Sequence, residues 1–211
     1  VGHTVYLYGL SLEGRGVENY SDMIGKKVSV PPVGSTTYYM ALAVAESYGC
    51  TEENSTIIPM SSSEQADALK DGTIDVAFMA GGIPQVTITD LDFSSDVVFL
   101  SIDNEKLSEL NDQYPFWDSV EMDAGTYSGQ KEKMNCLSVN TLLACNVNLD
   151  TDLVYQITKI LNEGTQELAA IHSSGAEWSF NMTESFLDSD ILEFHEGALR
   201  YYSELIGGKI E

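Results

Sequence analysis

Between residues 25 and 91 one hydrophobic pattern recurs three times: a short apolar run, a turn of small residues, then apolar positions at helical spacing. Lys27-Val28-Ser29-Val30 leads into Pro31-Pro32-Val33-Gly34-Ser35-Thr36-Thr37 and a segment rich in Tyr, Met, Ala and Leu. Thr56-Ile57-Ile58-Pro59 leads into Ser61-Ser62-Ser63-Glu64, and Ile74-Asp75-Val76-Ala77-Phe78-Met79 leads into Ala80-Gly81-Gly82-Ile83-Pro84. Strands alternating with helices predict βαβ crossovers and an α/β fold with a parallel sheet. Ligands of such sheets lie beyond the carboxyl ends of the strands, where these turns fall.

The flanking sequence predicts fewer strands. Residues 4–8 alternate as a strand, Gly14 and Gly16 make 11–17 a loop, and 18–24 reads as a short helix stopped by Gly25. Residues 96–102 read as a strand and 103–113 as a helix capped by Asp103 or Asn104. Tyr114-Pro115-Phe116-Trp117 ends that helix, because the residue before proline is pushed out of the α region. Residues 119–130 carry too much glycine for a regular element, and 135–146 is a β-like apolar run. Residues 150–162 form the best-marked helix of the second half, with Leu153, Ile157, Ile160 and Leu161 on one face. Helical patterns continue through 166–171 and 177–187, and a last helix over 196–205 stops at Gly207-Gly208. The first half is thus mostly βαβ and the second mostly helix.

Charge narrows the partners. Ten Lys plus Arg against 33 Asp plus Glu give a formal net charge of −23. No basic field exists to displace the counterions of nucleic acid or an anionic membrane, so neither is expected as a partner. No apolar run is long enough to span a bilayer. Cys50, Cys136 and Cys145 lack zinc-ligand spacing; a Cys136–Cys145 disulfide across a hairpin and buried free thiols both remain open. The opening VGHTVYLYGL has neither a basic n-region nor a cleavage site, so an export signal either never existed or lies outside this sequence.

The turns carry the chemistry. At Gly34, Ser35, Thr36 and Thr37, glycine lets the backbone approach a ligand, and the first helical N–H groups lack internal acceptors. A carboxylate held there gains hydrogen bonds and the favourable end of the helix dipole without a basic side chain. The alternative is plain capping by Ser35 or Thr36. Ser61 and Glu64 fit a reciprocal capping box. Gly81 and Gly82 clear space at a strand end, and Pro84 fits a first helical turn.

These segments, taken in order, resemble the TAXI family of solute receptors, the substrate-binding subunits of certain TRAP transporters. The matching residues are Gly25-Lys26-Lys27-Val28-Ser29-Val30, Gly34-Ser35-Thr36, Glu64-Gln65-Ala66-Asp67-Ala68-Leu69-Lys70-Asp71-Gly72, and Ile74-Asp75-Val76-Ala77-Phe78 with Gly82 and Pro84. Tyr114-Pro115-Phe116, Ala124-Gly125-Thr126-Tyr127 with Gly129-Gln130, Asp152-Leu153-Val154-Tyr155, and His195-Glu196-Gly197-Ala198 with Arg200-Tyr201-Tyr202 extend the match over most of the chain. The resemblance implies a two-lobed periplasmic-binding-protein-like fold with a parallel-rich sheet in the central lobe. It divides the chain into a hinge strand and first-lobe remnant at 1–25, a second lobe at 26–101, and a return to the first lobe with C-terminal helices at 102–211. It implies capture of a small carboxylate solute, an amino acid or dicarboxylate, and delivery to the membrane permease subunits of a TRAP transporter. It places the protein outside the cytoplasm, periplasmic or lipid-anchored at the cell surface. It assigns ligand contacts to Gly34, Ser35, Thr36, Thr37, Gly81, Gly82, Pro84 and Tyr127; Phe116 or Trp117 either walls the pocket or packs in the core.

Three departures from the family stand out. The strand–helix segment with which family members begin has no counterpart in this sequence, and a first lobe without it is expected to lack strands. Pro31-Pro32-Val33 and Ser128 replace a smaller residue and a proline. The sequence supplies no catalytic, metal-binding or cofactor motif: His3, His172 and His195 are scattered, with no nucleophile elbow or zinc signature. The competing readings are a sensory ligand-binding domain and an enzyme built on the same two lobes.

Overall fold

The computed structural model describes residues 1–187 and 192–207. Two compact units emerge: residues 5–139, and residues 1–4 with 140–211.

The larger unit is built on one mixed sheet. Its strands are β1 (Thr4–Leu12), β2 (Lys27–Val30), β3 (Thr56–Pro59), β4 (Val76–Gly81), β5 (Val97–Leu100), β6 (Asp118–Met122) and β7 (Met134–Asn140). Their order is β3-β2-β4-β1-β7-β6, with β5 also paired to β1. β2 runs parallel to β3 and β4, as the βαβ pattern predicts, whereas β1 pairs antiparallel with β4 and β5. Residues 5–25 and 102–139 therefore pack with 26–101 in a single unit.

Both faces of the sheet are covered, which explains the nearly continuous apolar sequence of β1 and β4. Alternate residues part to opposite sides. Leu7, Val76 and Phe78 join a core with Tyr20 and with Met40 and Val44 of α1 (Thr36–Ser47). Leu107 and Leu110 of α4 (Asn104–Gln113) complete that layer. Tyr8, Leu10, Ala77 and Met79 join the other core, with Leu69 of α2 (Ser62–Asp71) and Ile88 and Leu91 of α3 (Val86–Ser94). Gly9 has a packing reason: a Cβ there would overlap the Tyr20 hydroxyl, whose ring is fully buried.

Several local expectations are corrected. Residues 118–122 form a strand despite the glycines that follow, because β6 pairs antiparallel with β7 over Asp118↔Ser138 to Met122↔Met134. The helix expected over 18–24 is a single 3-10 turn at Tyr20–Met23. The β-like run over 135–146 keeps strand structure only to Asn140. Beyond it Leu142, Leu143 and Val147 are exposed.

The smaller unit is helical: α5 (Thr151–Glu163), α6 (Thr165–Ile171), α7 (Phe180–Leu187) and α8 (Glu196–Ile206). α5 and α8 pack tightly where Gly197 meets the Thr151 carbonyl and Val154, leaving no room for a Cβ. Arg200 is exposed and lies along α5, 2.8 Å from Asp152 and 4.2 Å above the Tyr155 ring, while Tyr201 and Tyr202 are buried. Gly207 takes a left-handed conformation after α8; Gly208 lies outside the described residues. All three thiols are free, with Cys50 and Cys136 buried and Cys145 exposed, so no Cys136–Cys145 bridge forms.

Candidate functional site

β2 and β4 are neighbouring parallel strands, so the turns that follow them leave the same end of the sheet. Their helices then diverge: α1 packs on one face and α3 on the other. In open α/β sheets, ligands bind beyond the carboxyl ends of neighbouring strands whose helices part in this way. Gly34, Ser35, Thr36 and Thr37 follow the carboxyl end of β2, and Gly81, Gly82 and Pro84 lie at that of β4.

The α1 start is built for exposure. Gly34 has φ +87°, in the left-handed region that only glycine adopts without strain, and open space where a side chain would project. Ser35 is the cap: its Oγ accepts from the Tyr38 N–H at 3.1 Å and donates to the Pro32 carbonyl at 2.8 Å. Capping by Ser35 therefore occurs, and it leaves the N–H groups of Thr36 and Thr37 without an acceptor among the described residues. The side chains of Thr36 and Thr37 flank those amides, Thr37 sharing a 3.2 Å hydrogen bond with Ser35.

The second turn is held from behind. Tyr8 donates its hydroxyl to the Gly82 carbonyl at 2.9 Å, and the Gln85 N–H donates to the Tyr127 hydroxyl at 2.9 Å. Gln85 also caps α3 through its side chain, which accepts from Ile88 at 2.7 Å. Tyr127 is 3% exposed, edge-on to Tyr8 and stacked on Phe99. It thus touches the turn and not open solvent. Burial raises the pKa of both phenols, so they remain neutral donors and acceptors. The loop bearing Tyr127 is fastened to α3 by Asp92, which accepts from the Gly129 N–H. Pro84 lies two residues before α3, after a cis bond from Ile83, and not inside its first turn.

Beside them, α2 begins with the capping box that its sequence predicts. Glu64 accepts from the Ser61 N–H at 2.8 Å and the Ser61 hydroxyl at 2.6 Å, bonds that lower its pKa. That box fills the Ser61 and Glu64 N–H groups and, like the Ser35 cap of α1, leaves the first two helical amides without an internal acceptor. Nothing in the sequence marks Tyr8, Gln85 or Asp92; a tyrosine in an alternating strand and a glutamine before a helix carry no signal until the register is known. Phe116 is half exposed and Trp117 buried, on the α1 face of the sheet.

This is an α/β protein with no cluster of metal-ligating side chains among the described residues. The chain belongs to the NMT1-like family, whose model matches residues 3–205. Solved structures similar to it include the periplasmic aliphatic sulphonate binding protein SsuA from Escherichia coli, at 14% identity and TM-score 0.41, covering 100% of this chain and 52% of that one. The L-cystine solute receptor of Neisseria gonorrhoeae matches at 12% identity and TM-score 0.34, covering 99% and 58%. A TRAP periplasmic solute binding protein from Rhodoferax ferrireducens with bound malonate matches at 15% identity and TM-score 0.31, covering 98% and 47%. The chain spans about half the length of these structures.

Proposed function

We propose that this chain is the receptor part of a solute-uptake system, capturing a small anionic organic solute outside the cytoplasm and delivering it to a membrane permease of the TRAP type. The observation that carries this reading is the pair of N–H groups at Thr36 and Thr37, which have no acceptor among the described residues and follow the carboxyl end of β2. A carboxylate accepts from both and is favoured by the α1 dipole, without desolvating any basic side chain. Gly34, Ser35, Thr36 and Thr37 form one jaw. Gly81, Gly82 and Pro84 form the other, and Tyr127 shapes that jaw through Gln85. The absence of a helix long and apolar enough to cross a membrane, among the described residues, accords with a receptor that hands its cargo to a separate permease.

The smaller unit fits the same reading as part of the first lobe. Its exposed Leu142, Leu143 and Val147 continue a β-type run with no strand partner among the described residues, as expected of a lobe completed by further strands. A thermal-shift screen of amino acids, dicarboxylates and sulfonates tests the function. At saturating concentration one class raises the melting temperature. If no anion does, while the chain is folded, the receptor reading fails.

A further inference from the structure

Gln85 is pinned along its whole length, and the one group it leaves free is a donor. It is the cap residue of α3, on the turn that leaves β4. Its backbone N–H donates to the Tyr127 hydroxyl at 2.9 Å, and its Oε1 accepts from the Ile88 N–H at 2.7 Å. Between these two anchors its Cγ lies against Gly81, so close that a Cβ added to that glycine would stand 2.6 Å away. The room that Gly81 clears at the strand end is therefore filled by Gln85.

The bond to Ile88 also settles the amide's orientation. An N–H needs an oxygen as its acceptor, so Nε2 is the branch turned away from Ile88. Nε2 has no acceptor among the described residues and keeps surface open to solvent, unlike the sealed, unpartnered polar atoms of Gln65 and Trp117. No charged side chain occurs over residues 80–85 to compete for it. Because the side chain is already ordered, a hydrogen bond from Nε2 costs little further rotamer freedom.

We infer that Gln85 is a recognition residue for the solute, its Nε2 donating to a carboxylate or sulfonate oxygen held at the carboxyl ends of β2 and β4. The inference rests on the solute-receptor reading and adds a specificity element to it. A neutral amide donor favours an anionic oxygen without a basic side chain, and it disfavours an ammonium group, which would meet donors with donors. Gly81 then serves the site through Gln85, by admitting its methylene, and not as a contact of its own.

Calorimetric titration tests this with L-alanine, succinate and methanesulfonate, one probe from each class of the thermal-shift screen. Gln85→Glu keeps an oxygen for the Ile88 N–H and puts a carboxylate oxygen where the free donor was. It leaves the melting temperature within about 2 °C of the parent and weakens the bound probe at least about tenfold. Gln85→Ala loses cap and donor together, so the melting temperature falls by about 2–4 °C and affinity falls with it. Gly81→Ala displaces Gln85 and weakens the same probe in the parent, yet changes little when added to Gln85→Ala. Parent-like affinity in Gln85→Glu overturns the assignment and leaves the receptor reading standing. So does an affinity loss in Gln85→Glu that comes with the same fall in melting temperature as Gln85→Ala. Additive losses from Gly81→Ala and Gln85→Ala overturn the part given to Gly81, and a folded parent that binds none of the probes overturns both readings.

Discussion

Tyr127 and Tyr8 offer a way to separate a residue that shapes a jaw from one that touches the solute. Tyr127→Phe keeps the ring and its stacking on Phe99 but removes the acceptor of the Gln85 N–H. A backbone donor that loses its acceptor in a partly buried site costs about 1–2 kcal/mol. For a chain of this length that is a fall of about 2–8 °C in melting temperature. Tyr8→Phe strips a donor from the Gly82 carbonyl, which lies on a half-buried turn and recovers a water, so its cost is about 1 kcal/mol or less. Both changes loosen the turn over 81–85, and both weaken solute affinity in proportion to the stability they remove. Differential scanning fluorimetry and calorimetric titration of the two variants measure this. Loss of affinity in Tyr127→Phe alone, with the melting temperature unchanged, would refute the positioning role and make Tyr127 a direct contact.

Four further outcomes are expected. Burial raises the pKa of Tyr8, Tyr20 and Tyr127 and pushes Cys136 up to about 12, so the folded chain holds protons that the unfolded chain has released. Stability is therefore intact below about pH 9 and falls as pH rises, first with Cys136 between about 9 and 12 and then with the phenols above about 10, each by at most about 1.4 kcal/mol per pH unit; Tyr8→Phe makes the urea-measured slope shallower, and a flat profile contradicts it. Gly9→Ala drives a Cβ into the Tyr20 hydroxyl and lowers stability by about 1–3 kcal/mol by chemical denaturation; a neutral result means that the two do not touch. At a net charge of −23, with its five ion pairs among the described residues largely exposed, the chain gains thermal stability on adding salt as self-repulsion is screened; a fall would show that those pairs dominate. Of the three thiols only Cys145 reacts rapidly with a colorimetric disulfide reagent in the native state, and a second fast thiol contradicts the burial of Cys50 and Cys136.

The βαβ core was legible because strands covered on both faces leave continuous apolar runs, and helix starts leave Ser, Thr and Gly. Ser61 with Glu64, the cap before Thr36 and the strands at 27–30 and 56–59 all follow from local chemistry. β6 was not legible. Its residues, Asp118 to Met122, are mostly exposed, and pairing with β7 fixes them more than any intrinsic preference. The antiparallel pairing of β1 with β4 is equally non-local, so a parallel pattern gave no warning of it. At the site, the unfilled amides of Thr36 and Thr37 could be read from spacing. The Tyr8–Gly82 and Tyr127–Gln85 bonds could not, since they join residues 74 and 42 positions apart.

Everything proposed about solute capture turns on one amide. Thr36 is the first helical residue of α1, where proline's fixed φ is tolerated, and Ser35 already has the extended conformation that a following proline demands. Thr36→Pro thus deletes an N–H while sparing the helix, which circular dichroism verifies. Calorimetric titration with the anion found in the thermal-shift screen then gives the answer. Loss of one charge-assisted hydrogen bond, about 1.5–3 kcal/mol, weakens binding roughly 10- to 150-fold; affinity equal to that of the parent chain would show that the solute is held elsewhere.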